Sequence, residues 1–194
     1  PASLDLFRKA AGSWLLDKLW VEEILQSELG VPRDKIFFAD HHQSHAASAY
    51  YCSGFDESAI LTVDGVGEWC CANLGWGRGS RMHLSHEMRF PHSLGLLYSA
   101  FTAFLGFQVN EGEYKVMGMA PYGSPRHRDK VRKLFRLYED GSLWLDMSYF
   151  EFHRSAQRSY SRKFISLFGP PRDPEQEDQL EPLYCDIAAS IQQA

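Results

Sequence analysis

The spacing of apolar residues divides the first part of the chain into helical and extended segments. Apolar positions at helical spacing predict an amphipathic helix over residues 14–29, which the glycine and proline that follow bring to an end. A short apolar run at residues 36–39 predicts a strand. The strand leads into a helix over residues 41–52, for which Asp40 is the expected N-cap residue.

Three strands are predicted next. Residues 59–63 form a continuous apolar run, which is typical of a central strand buried on both faces. The sequence Asp-Gly-Val-Gly at residues 64–67 predicts a turn into a second strand over residues 68–75. A third strand, residues 81–90, alternates apolar and polar positions. Together these segments predict an antiparallel meander with glycine-rich connections.

The remainder of the chain is predicted to be mainly helical. Residues 93–107 are apolar on nearly all sides and predict a buried helix. Residues 110–123 are polar and rich in glycine. An amphipathic helix is predicted over residues 124–138, extended structure over residues 141–152, and a last helix around Ile187.

Composition favours a globular protein without a membrane span. Of the 194 residues 44% are apolar, and no run reaches the roughly 18 apolar residues that a bilayer requires. The net charge of −5 argues against a broad nucleic-acid-binding face, and the basic residues between positions 126 and 136 are interpreted as a solvated helix face. The four cysteines have no CxxC spacing and are expected to be reduced, as in a cytoplasmic enzyme.

The segment Asp-His-His-Gln-Ser-His at residues 40–45 is the strongest candidate for chemistry. Helical spacing puts His41 and His45 on one face, where both can reach one metal ion, whereas His42 points about 100° away. The positive end of a helix disfavours a cation, so a carboxylate is needed, and Asp64 at the end of a buried strand is the best candidate. Two imidazoles and a carboxylate suit iron or zinc. Two alternatives remain: the histidines are polar residues at a helix start, or Asp64 bonds the turn amides.

The glycine-rich segment 110–123 is a candidate nucleotide site. Its glycines allow a close backbone approach, and its charged residues offer a phosphate contact and acceptors for sugar hydroxyls: Glu111, Gly112, Glu113, Lys115, Gly118 and Gly123. Ordinary helix capping and turn formation is the alternative interpretation. Neither standard phosphate-binding loop is present, and no GxSxG elbow of a serine hydrolase occurs.

Three motifs together resemble those of the NodU/TobZ-type carbamoyltransferases. They are DHHQSHAASAYYCSGF, ILTVDGVGE and NEGEYKVMGMAPYG, which follow one another in the order and spacing of that family from about Ile36 to Gly123. The closing residues 186–192 also look like the family. Each motif alone is a weak signal, but three in the correct order make a specific match.

The resemblance implies an α/β protein with part of an actin-like, ribonuclease-H-like (ASKHA) fold, a mixed sheet flanked by helices. Residues 1–54 would end the first half of that fold, and residues 55–194 would begin the second half with a helical insertion. The family is related to tRNA threonylcarbamoyl transferases. Because the first and last strands of the fold and a YrdC-like domain have no counterpart in this sequence, which begins with proline, we expect a chain truncated at both ends.

The resemblance also implies a reaction: transfer of a carbamoyl group from carbamoyl-adenylate or carbamoyl phosphate to a hydroxyl of a small natural product. The family's metal ligands, which are also its catalytic residues, correspond to His41, His45 and Asp64, with iron as the favoured divalent metal. ATP or carbamoyl-adenylate would contact Gly65, Gly67 and the residues Glu111, Glu113, Lys115 and Gly118. A cytoplasmic enzyme without membrane or nucleic-acid partners is expected, and its acid–base histidine would lie before this sequence.

Three other functions remain open at this point. One is a tRNA threonylcarbamoyl transferase, against which the net charge counts weakly. Another is a sugar kinase or other ATPase on the same fold, which should not need the paired histidines. The last is a regulatory module that binds nucleotide without catalysis.

Overall fold

The computed structural model describes residues 2–16, 18–176 and 179–194. Its helices are α1 (Ala2–Leu16), α2 (Val21–Leu29), α3 (His41–Cys52), α4 (Leu94–Phe104), α5 (Glu113–Met119), α6 (Arg128–Arg132), α7 (Arg162–Phe168) and α8 (Pro182–Gln193). Its strands are β1 (Glu57–Gly67), β2 (Cys70–Arg78), β3 (Arg81–Arg89), β4 (Phe135–Leu137) and β5 (Leu143–Leu145). No helix in these ranges is both long enough and apolar enough to cross a bilayer.

The predicted meander is confirmed. Strands β1, β2 and β3 pair in sequence order, both times antiparallel, with Leu61 opposite Leu74 and Trp76 opposite His83. Strands β4 and β5 form a separate antiparallel pair. An α/β architecture is therefore present, but the described residues pair only in antiparallel fashion and do not form the expected mixed sheet. The division at residue 54 into two halves of a larger fold stays a prediction.

Strand β1 differs from its prediction. It is an edge strand buried on one face: Ile60 and Thr62 are buried, whereas Leu61 is 66% exposed. A continuous apolar run carries no period, so the sequence could not show that only alternate residues are covered. The strand also continues through the predicted turn to Gly67, with a register irregularity after Val63.

Helix α3 has the predicted bounds and packs on this sheet. Ala46 and Tyr50 are buried against β1, and the ring of Tyr50 lies where a side chain at Gly77 would have to be. The Tyr50 hydroxyl is 3.0 Å from the carbonyl oxygen of Asp56 and 2.9 Å from that of Gly79. These contacts fix the carboxyl-terminal end of the helix to the sheet.

Of the two predictions before α3, the helix is wrong in part and the strand is wrong. The helix over residues 14–29 is interrupted, because α1 ends at Leu16 and a 3₁₀ turn at Lys18–Trp20 precedes α2; position 17 lies outside the described residues. Residues 36–39 form no strand, and Phe37 is 86% exposed. A strand needs a pairing partner, and the described residues supply none for this segment.

The main hydrophobic core lies among the helices that follow the sheet. Its fully buried members include Leu97, Phe101, Phe104, Val116, Leu134, Phe164 and Ile187. Helix α4 begins at the Ser93 N-cap, near the predicted start. The helix predicted over residues 124–138 is wrong: α6 has five residues, and Phe135–Leu137 pairs instead with Leu143–Leu145. Most of the basic residues between positions 126 and 136 are exposed, as expected.

Two glycines near α8 give a matched test of the packing. A Cβ added at Gly123 would lie 2.1 Å from the backbone of Cys185, whereas one at Gly118 would meet no atom within 4 Å. We expect Gly123→Ala to lower the free energy of unfolding by about 1–3 kcal/mol through overpacking. Gly118→Ala, inside helix α5, should raise it by up to about 1 kcal/mol because alanine is the better helix former.

Urea unfolding of both variants measures the difference. A Gly123→Ala protein as stable as Gly118→Ala would contradict the close approach of α8 to this segment.

Candidate metal centre

His41 and His45 share one face of helix α3, as their spacing predicts. Their ring centroids are 4.6 Å apart and their Nε2 atoms 3.0 Å apart. Helix geometry alone gives this juxtaposition, since residues four apart lie one above the other. Both imidazoles keep access to solvent, with 42% and 55% of their side-chain surface exposed.

Asp64 of strand β1 completes a cluster of three ligand groups. Its Oδ2 atom is 2.5 Å from Nε2 of His41 and 3.6 Å from Nε2 of His45. Ligand atoms bound about 2.1 Å from one metal ion are about 3.0–3.4 Å apart at right or tetrahedral angles. The three side chains therefore converge at distances close to those of one coordination sphere.

The backbone at Asp64 is held by the start of helix α4. The Ser93 hydroxyl is 2.6 Å from the carbonyl oxygen of Gly65 and 3.1 Å from that of Asp64. A Cβ at Gly95 would lie 2.5 Å from the Asp64 carbonyl oxygen, so glycine allows the helix to approach this closely. The start of α4 thus fixes the backbone that carries the Asp64 carboxylate.

The carboxylate of Asp64 both accepts a hydrogen bond from a turn amide and meets the candidate ligand His41. Its Oδ1 accepts a hydrogen bond of 2.6 Å from the Gly65 amide, while Oδ2 meets His41. Burial acts to raise the pKa of Asp64, but the hydrogen bonds from His41 and Gly65 and the charge that His41 and His45 carry when protonated outweigh burial, so the pKa is lowered. The carboxylate stays ionised and opposes the positive end of α3.

The donor set fits a divalent metal ion. Two imidazole nitrogens and one carboxylate oxygen, from His41, His45 and Asp64, lie within 4.8 Å of one another. These ligands suit iron or zinc, and three protein ligands leave coordination positions open. A depression of about 510 Å³ beside the two histidines gives access from solvent. Asp40 occupies the N-cap position of α3 as predicted, but its side chain makes no capping hydrogen bond.

His42 has a role that sequence analysis missed. It is 3% exposed, with Nδ1 2.7 Å from the Thr62 hydroxyl oxygen and Nε2 3.0 Å from the Cys70 carbonyl oxygen. Since a carbonyl only accepts, Nε2 donates to Cys70, and in the neutral ring Nδ1 accepts from Thr62. His42 thus joins α3 to two strands, and its bond to Thr62 neighbours the contact of His41 with Asp64. The only sign of this role in the sequence is the position of His42 directly beside His41, one of the two candidate ligands.

The two glycines expected to contact a cofactor sit beside the cluster. A Cβ at Gly67 would lie 2.2 Å from the His41 ring, so this glycine makes room for the ligand. Gly65 donates its amide to Asp64 and approaches Leu96 of α4. Both shape the metal centre through close packing, and a contact of either with a nucleotide stays a prediction.

The segment 110–123 folds mainly as helix α5 and a 3₁₀ turn. The carboxylate of Glu113 accepts from the Ser99 hydroxyl (3.0 Å) and from the Asn110 amide (3.1 Å), and so joins the start of α5 to α4 and to the preceding turn. Lys115 has its Nζ 5.9 Å from the centroid of the Phe107 ring. Glu111 and Gly118 are exposed. Contacts within the fold therefore engage Glu113, and nucleotide binding by the other residues stays a prediction.

Helix α4 relates this segment to the metal centre. Ser93 contacts the backbone of Asp64 at one end of the helix, and Ser99 contacts Glu113 further along it. Six residues of helix advance by about 9 Å. Helix α4 therefore links the two segments at points about 9 Å apart along its axis.

Comparison with known proteins identifies the family to which the chain belongs. A family model described as the carbamoyltransferase N-terminus matches residues 1–194. An uncharacterized protein of Synechocystis is 46% identical over 99% of this chain and 32% of its own length. The nodulation protein NolNO of Sinorhizobium fredii is 40% identical over 66% of the chain and 20% of its own length. The nodulation protein NolO of Bradyrhizobium diazoefficiens is 37% identical over 53% of the chain and 19% of its own length. The chain thus spans about a third or less of these curated relatives.

The role of His42 predicts an effect of Thr62 on metal binding. Thr62→Val removes the hydroxyl that bonds His42. It should weaken binding of Fe²⁺ or Zn²⁺ by about 10-fold, which is the smallest effect usual for residues that orient metal ligands. It should also cost about 1 kcal/mol of stability. Titration calorimetry with each ion measures the affinity.

Tyr50→Phe is the matched control, because it removes hydrogen bonds from the other end of the same helix. It should lower stability by a similar amount and leave the metal affinity unchanged. Equal metal affinities in the two variants would show that the His42 contact does not position the ligands.

Proposed function

From the premise that the chain belongs to the carbamoyltransferase N-terminus family, we propose that it forms part of an O-carbamoyltransferase. The match confirms the resemblance to NodU-type carbamoyltransferases drawn from the three motifs. The proposed reaction moves a carbamoyl group from carbamoyl phosphate, through carbamoyl-adenylate, to a hydroxyl of a small natural product. The observation that carries the proposal is the convergence of His41, His45 and Asp64 beside an open depression.

The chemistry requires stabilisation of negative charge. When the acceptor hydroxyl oxygen bonds to the carbamoyl carbon of carbamoyl-adenylate, negative charge develops on the carbonyl oxygen. The hydroxyl proton passes to a base, and AMP departs with the electron pair of the broken carbon–oxygen bond. A divalent ion held by the three residues would supply a Lewis acid for these oxygens. The chain's own part is to keep the two imidazoles and the carboxylate oriented before substrate binds, which the contacts of His42 and Ser93 support.

A nucleotide position beside the metal centre fits the same reaction. We assign ATP or carbamoyl-adenylate to the exposed side of segment 110–123, where Lys115 would contact phosphate, Glu111 the ribose, and Gly118 would allow close approach. A Cβ added at Gly118 would meet nothing within 4 Å, so space for a ligand exists there. Gly65 and Gly67 would face the phosphate end, next to His41.

The remaining parts of the proposal follow from the family. Iron is the proposed metal, and the site of carbamoyl-adenylate formation is a YrdC-like domain of the full-length protein. The proposed partners are carbamoyl phosphate, ATP and a small hydroxyl-bearing acceptor in the cytoplasm, without nucleic acid or membrane. The paired histidines favour this reaction over sugar phosphorylation on a related fold.

Removal of either imidazole should abolish metal binding and transfer together. In the full-length protein, we expect His41→Ala or His45→Ala to lose bound metal and to lower carbamoyl transfer by about 10²-fold or more. Elemental analysis measures the metal. Labelled carbamoyl phosphate, with ATP and either water or a panel of hydroxylated natural products as acceptor, measures transfer.

His127→Ala is the control, because it removes an imidazole at the start of α6, where only the backbone amide of that residue bonds Ser190. It should keep the metal content and the rate. Full metal content and an unchanged rate in the His41 and His45 variants would contradict the proposal. A protein that binds ATP but never transfers the carbamoyl group would be a nucleotide-binding module instead.

A further inference from the structure

A cleft in the helical part of the chain is lined by positive and aromatic side chains. The end of α6 and the strands β4 and β5 contribute to its walls, and its volume is about 600 Å³. It shares no lining residue with the two cavities that His41 lines, so it is separate from the metal centre. Its cationic and exposed aromatic lining residues are Arg132, Lys133, Arg136, Tyr138 and Trp144.

Trp144 is held in one orientation at this cleft. Its ring stacks on the ring of His92, with the two centroids 3.7 Å apart. The His92 ring is held in turn, because its Nδ1 accepts a hydrogen bond of 3.1 Å from the Leu145 amide. Leu143 and Leu145 are buried, so strand alternation places Trp144 between them on the outer face of the hairpin. The indole is therefore fixed while 54% of the residue stays exposed.

The cations of the cleft surround this indole without partners of their own. Arg136 lies directly opposite Trp144 in the register of β4 and β5, so both side chains leave the same face of the hairpin. Arg132, Lys133 and Arg136 form no ion pair with any residue that the structure describes. Their three charges are therefore available to an anion.

Asp146 does not offset these charges. It is the one carboxylate among the lining residues. Its Oδ1 accepts a hydrogen bond of 2.6 Å from the Ser148 hydroxyl, and its Oδ2 lies 3.3 Å from Nζ of Lys163. The hydrogen bond from Ser148, with the contact to Lys163, holds the pKa of Asp146 below its usual value. The negative charge of Asp146 is thus matched by Lys163.

This lining suits a ligand that combines a planar ring with phosphate groups. Guanidinium groups bind phosphate oxygens in pairs, and a lysine adds a further positive charge. Every nucleobase can stack on an indole ring. The volume lies in the range usual for small-molecule sites. A basic face that is only solvated would need no fixed indole among its cations.

We propose that this cleft is a second nucleotide site, which binds a nucleoside diphosphate or triphosphate. The base stacks on Trp144, and the phosphates contact Arg132, Lys133 and Arg136. The site goes beyond the proposed function and does not depend on it, because carbamoyl transfer at the metal centre uses none of these residues.

The experiment uses the full-length protein and the photoreactive probe 8-azido-ADP. After irradiation, mass spectrometry locates the label. The amount of label within residues 134–154 reports the occupancy of this cleft alone, whatever other nucleotide sites the protein has. Competition by ADP, adenosine and pyrophosphate then gives the affinity of the cleft for the whole ligand, for its ring and for its phosphates.

Two variants separate the ring from the phosphates. Trp144→Ala should weaken binding of ADP and adenosine by about 10-fold and leave binding of pyrophosphate unchanged. Arg136→Gln should weaken binding of ADP and pyrophosphate by about 10-fold and leave binding of adenosine unchanged. Trp144→Phe keeps an aromatic face and should retain most of the affinity for ADP.

Each variant has a matched control elsewhere in the chain. Trp14→Ala removes a tryptophan of α1 that is also 54% exposed. Arg128→Gln removes a cation of α6 that does not line the cleft. Both controls should bind ADP in the cleft as the wild type does. The Tm of every variant is measured alongside.

Three results would overturn the assignment. One is label confined to other parts of the chain, or the same ADP affinity in Trp144→Ala as in Trp14→Ala. A second is a lower Tm of Trp144→Ala with equal loss of ADP and pyrophosphate binding and no recovery in Trp144→Phe, which would make the indole structural. The third is tighter competition by an oligoadenylate than by ADP, which would assign the cleft to RNA.

Discussion

The candidate site depends on two polar contacts between the start of helix α3 and the end of strand β1. His41 meets Asp64 at 2.5 Å, and the adjacent His42 meets Thr62 at 2.7 Å. Thr62 and Asp64 are two residues apart on a strand, so both point to the helix side of the sheet. Farther along, the same interface is apolar, with Ala46 and Ile60 buried. Hydrophobic packing holds the helix on the sheet, and the polar contacts set the position at which the ligands converge.

Glycines and a small hydroxyl side chain allow the elements around these contacts to come close. Gly67 leaves room for the ring of His41, and Gly95 lets helix α4 touch the backbone of Asp64. Ser93 then bonds that backbone directly. The strand end therefore contacts both helices: α3 meets its side chains, and α4 meets its backbone. Glu68 is the exception in this arrangement, because with a φ of 61° it keeps a side chain where the backbone favours glycine.

The parts of the structure that sequence analysis predicted depend on local signals. The bounds of α3, the three-stranded meander and the shared face of His41 and His45 follow from spacing along one segment. The errors concern pairing and burial between distant segments. Residues 36–39 are apolar yet form no strand, and β4 takes residues assigned to a helix because β5 offers hydrogen bonds. The contacts of His42 and the strained turn at Glu68 could not be predicted, since both depend on how separate elements meet.

The central claim is that two imidazoles of α3 and the carboxylate of β1 bind one metal ion. A crystal structure of the protein grown with Fe²⁺, with anomalous data collected on both sides of the iron absorption edge, tests this claim most directly. The account predicts a single strong anomalous peak within bonding distance of His41 Nε2, His45 Nε2 and the carboxylate of Asp64. A peak elsewhere, or three side chains that point away from one another in the presence of iron, would contradict it.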